Sequence, residues 1–213
     1  MNMQKKSNNF FTSEESSRIS DTIKTVELRT SGEVAVMVVD QSDEYPDAAV
    51  IGGVLLSSLF SFIITTALFH GEVWSYIPVN FALFFPFYIL SKKTLLLKAR
   101  LIGKGRKERA VHLKALRAFY EKGLHLTKEQ TGVLFFISIF EHKVWVLADK
   151  GIYDKITQDT LNAFALKVSQ GIKDGRSCDV LCEEIRNAGD LLAKYFPITS
   201  GDENELTNEI IQQ

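Results

Sequence analysis

Two uncharged apolar runs separated by three residues constrain this chain more than any other feature of its sequence. Ala48 to Phe69 is 22 residues without a formal charge, and Val73 to Leu90 is a further 18. A helix needs about 20 predominantly apolar residues to cross the ~30 Å hydrocarbon core of a bilayer. The first run therefore reads as a transmembrane helix. The second contains Pro78, Asn80 and Pro86. Membrane helices tolerate proline where neighbours recover the freed backbone groups, so this run reads as a kinked second span, with a re-entrant segment as the alternative. Only His70, Gly71 and Glu72 lie between the runs, which makes the helices antiparallel neighbours. On the first, Gly53, Ser57, Ser61 and Thr65 recur at every fourth position. Small residues on one stripe let a partner helix approach closely, so this stripe is expected to face the second span.

Charge gives the hairpin a direction. Lys92, Lys93, Lys98, Arg100, Lys104, Arg106, Lys107 and Arg109 follow the second span, while the tip has no Lys or Arg. Basic residues near span ends are retained on the cytoplasmic side. Both termini are therefore expected in the cytoplasm, and the basic run is expected to meet anionic lipid headgroups. The first 17 residues turn polar and acidic after Lys5 and Lys6 and lack the apolar stretch of a cleaved signal; the first hydrophobic run would serve as its own insertion signal. A formal net charge of −1 gives no case for nucleic acid, whose binders carry a basic excess or face. The expected partners are membrane lipids and a membrane protein.

The remaining sequence describes one α/β domain whose halves, 1–46 and 91–197, flank the spans at 48–69 and 73–90. Thr12 with Glu15 is a capping-box pattern, and Ile19, Ile23 and Val26 follow at helical spacing. A helix is predicted from Ser13 to Arg29. Glu33 to Asp40 is a short, nearly continuous apolar run of the kind found in fully buried strands. Beyond the spans, a helix from about Lys107 to Lys122 would place Leu113, Leu116 and Tyr120 on one face. Gly132–Phe140 and Lys143–Asp149 are rich in β-branched and aromatic residues and read as an antiparallel pair turning at Glu141 and His142. Helices are predicted from Thr157 to Ile172 and from Cys178 to Tyr195. The strand at Glu33 cannot satisfy its backbone alone, and its connection to Gly132 passes through a helix, so the two should be parallel. Residues 198–213, which include Asp202, Glu203, Glu205 and Glu209 without a Lys or Arg, read as a disordered acidic tail. Cys178 and Cys182 form no recognised metal or redox pattern and read as reduced structural thiols.

The segments FFTSEESSRISDTIKTVELRTSGEVAVMVV, GLHLTKEQTGVLFFISIFEHKVWVLADKGIYDKI and GIKDGRSCDVLCEEIRNAGDLLAKYFP resemble the TPM domain family. The most specific stretches are Thr30-Ser31-Gly32-Glu33, Thr131-Gly132-Val133-Leu134 and Ala148-Asp149-Lys150-Gly151-Ile152. The resemblance implies a three-layer α/β/α sandwich with a small mixed sheet, here interrupted by the hairpin. It also implies roles ranging from photosystem repair and receptor-accessory functions to a phosphatase. Many relatives carry a signal peptide; this chain has an interrupting hairpin instead.

The sequence has no nucleophile triad, phosphate loop or His-rich metal motif, and no catalytic residue is assigned. The divalent-ion chemistry proposed for the family needs oxygen ligands, which Mg²⁺ and Ca²⁺ prefer. Parallel pairing of the first two strands would put Asp40 at the sheet end of Glu141 and His142, with Asp149 at the other. Asp40 precedes the first span closely, so its end should face the bilayer and the other should face water. Asp149, Lys150, Gly151 and Asp154 are accordingly the candidate ligand loop, with Asp149 and Asp154 as candidate metal ligands. The alternative is a plain turn in which Gly151 takes an unusual φ and the aspartates cap or pair. The leading expectation is a non-catalytic, membrane-tethered interaction or assembly module. The competing one is a divalent-ion-dependent phosphatase.

Overall fold

The computed structural model describes residues 7, 10–127, 129–198 and 210–212, apart from the side chains of residues 95 and 96. It is a mixed α/β protein, mostly helical, with a small mixed sheet. The chain divides into two compact units: 1–42 with 108–213, and 43–107.

In the first unit, α1 (Ser13–Glu27) begins as its sequence predicts. The Glu15 N–H donates to Thr12 Oγ1 at 3.2 Å and the Thr12 N–H to Glu15 Oε2 at 2.8 Å, satisfying two of the donors that a helix start leaves open. Strand β1 (Glu33–Val39) pairs in parallel with β2 (Gly132–Ser138), from Glu33 opposite Gly132 to Val39 opposite Ser138. Strand β3 (Lys143–Ala148) is antiparallel to β2. All seven β1 residues are buried, because the sheet is covered on both faces. Val34, Val36 and Val38 join Ile19, Ile23, Val26, Leu161, Val168, Leu181 and Ile185 in one core cluster. Ala35, Met37 and Val39 join Val111, Ala115, Ala118 and Phe119 in the other. The first cluster draws on α1, α7 (Gln158–Lys173) and α8 (Ser177–Tyr195), and the second on α5 (Lys104–Glu121).

The face of α5 differs from expectation. Leu113, Leu116 and Tyr120 are exposed, Leu113 at 63%, while Ala110, Val111, Ala115, Ala118 and Phe119 are buried. That α5 face packs in the cluster that holds Ala35, Met37 and Val39 of β1 with Leu134 and Phe136 of β2. The β2–β3 connection also differs from a two-residue turn. The Ile139 and Phe140 N–H groups donate to Val39 and Asp40 carbonyls at 3.0 and 2.9 Å, so the chain stays beside the end of β1 for two residues past the last β2–β3 pair. It reverses through Ile139–His142, where His142 adopts φ 51°. A four-residue helix α6 (Lys150–Tyr153), not foreseen from the sequence, follows β3. Most of the predicted acidic tail lies outside the described residues. Its end is ordered where described: β4 (Ile211–Gln212) pairs in parallel with Met37 and Val38 and completes the sheet order β3-β2-β1-β4.

The second unit holds α2 (Pro46–Leu68), α3 (Val73–Lys93) and the short α4 (Leu95–Leu101). Helix α3 runs through Pro78 and Pro86 as one element; at 1.5 Å per residue, 21 residues span roughly 30 Å. Both α2 and α3 are long and apolar enough to cross a membrane.

Candidate functional site

The hairpin is built on the stripe that its sequence marks. Gly53, Ser57, Ser61 and Thr65 are all buried. A Cβ added at Gly53 would lie 3.0 Å from Tyr88 Cα, and one at Gly52 would lie 2.6 Å from Ser91 Oγ, so the helix backbones approach too closely there for a larger residue. Ser61 Oγ donates to the Tyr76 carbonyl at 3.0 Å, and Asn80 Nδ2 donates to Ser58 Oγ at 3.4 Å. The outward surfaces are apolar: Leu55, Leu59, Phe62, Phe81 and Phe85 are all exposed. Trp74, at the start of α3, is 85% exposed.

The polar end of this unit is tied together by residues that the sequence reading assigned to lipid. Arg106 Nη2 lies 2.5 Å from Asp43 Oδ2, its Nε lies 3.7 Å from Asp47 Oδ2, and its guanidinium sits 5.3 Å from the centroid of the Tyr45 ring. The hydrogen bond that Arg106 donates to Asp43, with the Asp43 and Asp47 charges, raises the Arg106 pKa above its ordinary value despite opposing desolvation. Lys98 is buried and donates to the Glu44 carbonyl at 3.0 Å, and Lys107 donates to the Ala99 carbonyl at 3.0 Å. Part of the basic run thus closes the neck of the hairpin. The signal was available: antiparallel spans return to the same end, where Asp43, Glu44 and Asp47 precede the first and the basic run follows the second.

In the α/β unit, the stretches carrying the family resemblance converge at one end of the sheet. Thr131 Oγ1 donates to the Ser31 carbonyl at 3.0 Å, and Ser31 Oγ to Glu129 Oε2 at 2.7 Å. The Glu33 N–H donates to the Thr131 carbonyl at 3.2 Å, Asp149 N–H to Gly132 at 2.9 Å and Gly151 N–H to Gln130 at 3.1 Å. Asp149 N-caps α6, its Oδ1 accepting the Lys150 N–H at 2.7 Å, while Asp154 is the C-cap residue. The two candidate aspartates therefore stand at opposite ends of α6. Asp149 Oδ2 is buried and accepts no hydrogen bond among the described residues. Lys150 and Asp154 are exposed. Gly151 does not have positive φ; a Cβ there would instead lie 2.7 Å from the Glu129 carbonyl oxygen and 2.8 Å from that of Gln130. The glycine admits the 129–130 backbone. Among the described residues, no group of three or more His, Cys, Asp or Glu is placed to hold a metal.

The opposite end holds Asp40, as parallel pairing requires. Asp40 Oδ1 accepts the Ser7 N–H at 2.5 Å, Ser42 N–H donates to Glu141 Oε1 at 3.0 Å, and Ser42 Oγ donates to Ser138 Oγ at 2.8 Å. The Ser138 hydroxyl donates in turn to the other Glu141 oxygen. Cys178 and Cys182 are buried and free.

These features define a mixed α/β protein carrying a pair of helices suited by length and composition to a membrane. No family model matches the chain, and no curated protein matches it. Among solved structures it is similar to the BA42 protein of the psychrophilic bacterium Bizionia argentinensis, determined by NMR, with a TM-score of 0.60. The two are 23% identical, with 96% of each chain covered. That likeness is one of fold.

Proposed function

We propose that this chain is a membrane-anchored interaction module: a TPM-like α/β/α sandwich, interrupted by a two-span hairpin and held on the cytoplasmic face of a membrane to engage a membrane-protein partner. The observation that carries the reading is the two-sidedness of the α2–α3 pair, with small residues inward and large apolar side chains outward. In water that outward surface would be an aggregation hazard far beyond an ordinary exposed patch. In hydrocarbon it is what a spanning pair presents. The three-layer reading is supported by the two core clusters on opposite sheet faces. The exposed stripe of Leu113, Leu116 and Tyr120 on α5 supplies a surface for a partner.

Topology tests the anchor directly. In intact cells, Gly71→Cys should react with a membrane-impermeant maleimide and Thr25→Cys should not, and the protein should resist alkaline extraction from membranes. Labelling of Thr25→Cys from outside, or release by alkali, would overturn the assignment. For the partner, a detergent pull-down with wild type should retain a membrane protein that Leu113→Ser/Leu116→Ser loses; identical recovery with both would remove α5 as the surface.

A second reading draws on Asp149 Oδ2, buried without a hydrogen bond among the described residues where the family-like stretches meet. An orphaned acceptor is the kind of group that a cation satisfies, which suits a phosphatase dependent on Mg²⁺ or Ca²⁺. Phosphoester hydrolysis in Mg²⁺, Mn²⁺ or Ca²⁺ that vanishes in Asp149→Asn would favour it. Hydrolysis that survives both Asp149→Asn and Asp154→Asn would remove the loop from consideration.

A further inference from the structure

The α/β unit contains a cavity of about 390 Å³ beside the β2–β3 turn, within the size range of small-molecule sites. Its walls are apolar, formed by Phe10, Ile137, Ile139, Val144 and Ile172. Among the described residues, the ionisable side chains lining it are His142, Lys143 and Lys173, with no carboxylate. Ser169 adds a hydroxyl. An apolar cavity that also presents cations is complementary to a molecule with an alkyl body and an anionic head, and lysine stems extend the apolar wall up to the charge.

The carboxylates nearest in sequence make their hydrogen bonds to other groups, while Glu108 lines an adjoining hollow that shares Lys143 and Ser169. Glu141 is occupied by Ser42 and Ser138, and Asp40 by the Ser7 N–H. Asp174 accepts from Gln170 Nε2 at 3.0 Å and lies 3.9 Å from Arg176 Nη2. Lys143 and Lys173 make no ion pair among the described residues. Ser138, also in the lining, is buried and its hydroxyl is engaged with Ser42 and Glu141, so the polar side chains left for a ligand among the described residues are the three cations and Ser169.

We propose that this cavity binds a single-chain fatty acid, its alkyl chain between Ile137, Ile139 and Ile172 and its carboxylate at Lys143 and Lys173. A volume of about 390 Å³ suits one alkyl chain. The site lies wholly in the α/β unit and does not depend on the membrane reading.

The test uses the full chain in zwitterionic phosphatidylcholine nanodiscs, with isoleucine methyls ¹³C-labelled and sodium octanoate as a water-soluble probe. The Ile137, Ile139 and Ile172 resonances should shift saturably with octanoate and stay unmoved with octyltrimethylammonium. Hydrogen bonds to charged groups are strong enough that Lys143→Gln/Lys173→Gln should weaken binding about tenfold or more. Ser169→Trp, which fills the slot, should abolish the shifts while the rest of the spectrum persists. No shift with octanoate, equal shifts with the cation, or unchanged affinity in the double lysine variant would overturn the proposal. If phosphatidylglycerol nanodiscs already displace these three resonances before octanoate is added, the ligand is a bilayer lipid and the fatty-acid assignment fails.

Discussion

A methyl group at position 189 would sit 2.4 Å from Val26 Cγ1, well inside contact distance, so α1 and α8 meet where only glycine fits. Gly189→Ala should lower unfolding free energy by about 1–3 kcal/mol, the range for overpacking a close-packed core. Adding Val26→Ala should recover part of that loss, measured by denaturant unfolding of both single variants and the double. Strict additivity would mean that the two positions do not share the contact. About three turns away on α8, burial pushes the Cys178 thiol up to about 11 from its ordinary 9.0, helped by neighbouring Cys182. The protonated thiol is the form that the folded protein favours. Its stabilising contribution is complete below about pH 9 and is lost as pH rises through about 11, because the unfolded chain releases the proton first. Stability should fall over that window in wild type and fall less in Cys178→Ser, compared by denaturant midpoint at matched ionic strength. The same burial should leave both native thiols unmodified by maleimide at neutral pH until the domain unfolds.

At the scale of elements, the α2–α3 contact depends on backbone proximity more than on its hydroxyls. Gly53→Val should weaken helix association by about 1–3 kcal/mol, since its Cβ meets Tyr88 backbone that cannot rotate away. Ser61→Ala removes one hydrogen bond and should cost about 0.6 kcal/mol, the average for such bonds in membranes. Steric-trap unfolding in bicelles should rank the two in that order, and a reversed ranking would make the hydroxyl the main adhesive. This stripe was legible because a four-residue spacing of Gly, Ser and Thr stands out against uniformly apolar neighbours. The parallel β1–β2 pairing was legible from the helix in the connection, and with it the separation of Asp40 from Asp149. The buried face of α5 was not. The sequence marks Leu113, Leu116 and Tyr120 as larger apolar side chains at helical spacing, but the face turned to the sheet is the one carrying Val111, Ala115, Ala118 and Phe119. Helix α6 and strand β4 are too short to leave a periodic signal. Of the candidate loop, its position at one sheet end could be read in advance. The role of Gly151 could not, because it depends on how closely residues 129 and 130 approach.

For the whole molecule, the question is whether the α/β unit needs its insertion in order to fold. Both core clusters are built from residues of 1–42 and 108–213 alone, so the apolar burial that holds the sheet does not draw on the hairpin. Topology allows the cut. Strands β1 and β2 are parallel, and α5 lies over the sheet between them in sequence, so it must carry the chain back from the end where β1 finishes to the end where β2 begins. That brings the chain near residue 108 back towards the Ser42 end of the sheet, within reach of a short flexible linker, whose closure costs little more as it lengthens. Replacing residues 43–107 with a Gly/Ser linker should therefore give a water-soluble protein that unfolds cooperatively in urea and retains the β1–β2 and β2–β3 contacts by NMR. The exposed α5 leucines should make it prone to self-associate at high concentration, and Leu113→Ser/Leu116→Ser should relieve this without changing the urea midpoint by more than about 0.5 kcal/mol of stability. A chain that remains soluble but unfolds without cooperativity would show that the hairpin organises the sheet and is part of the fold.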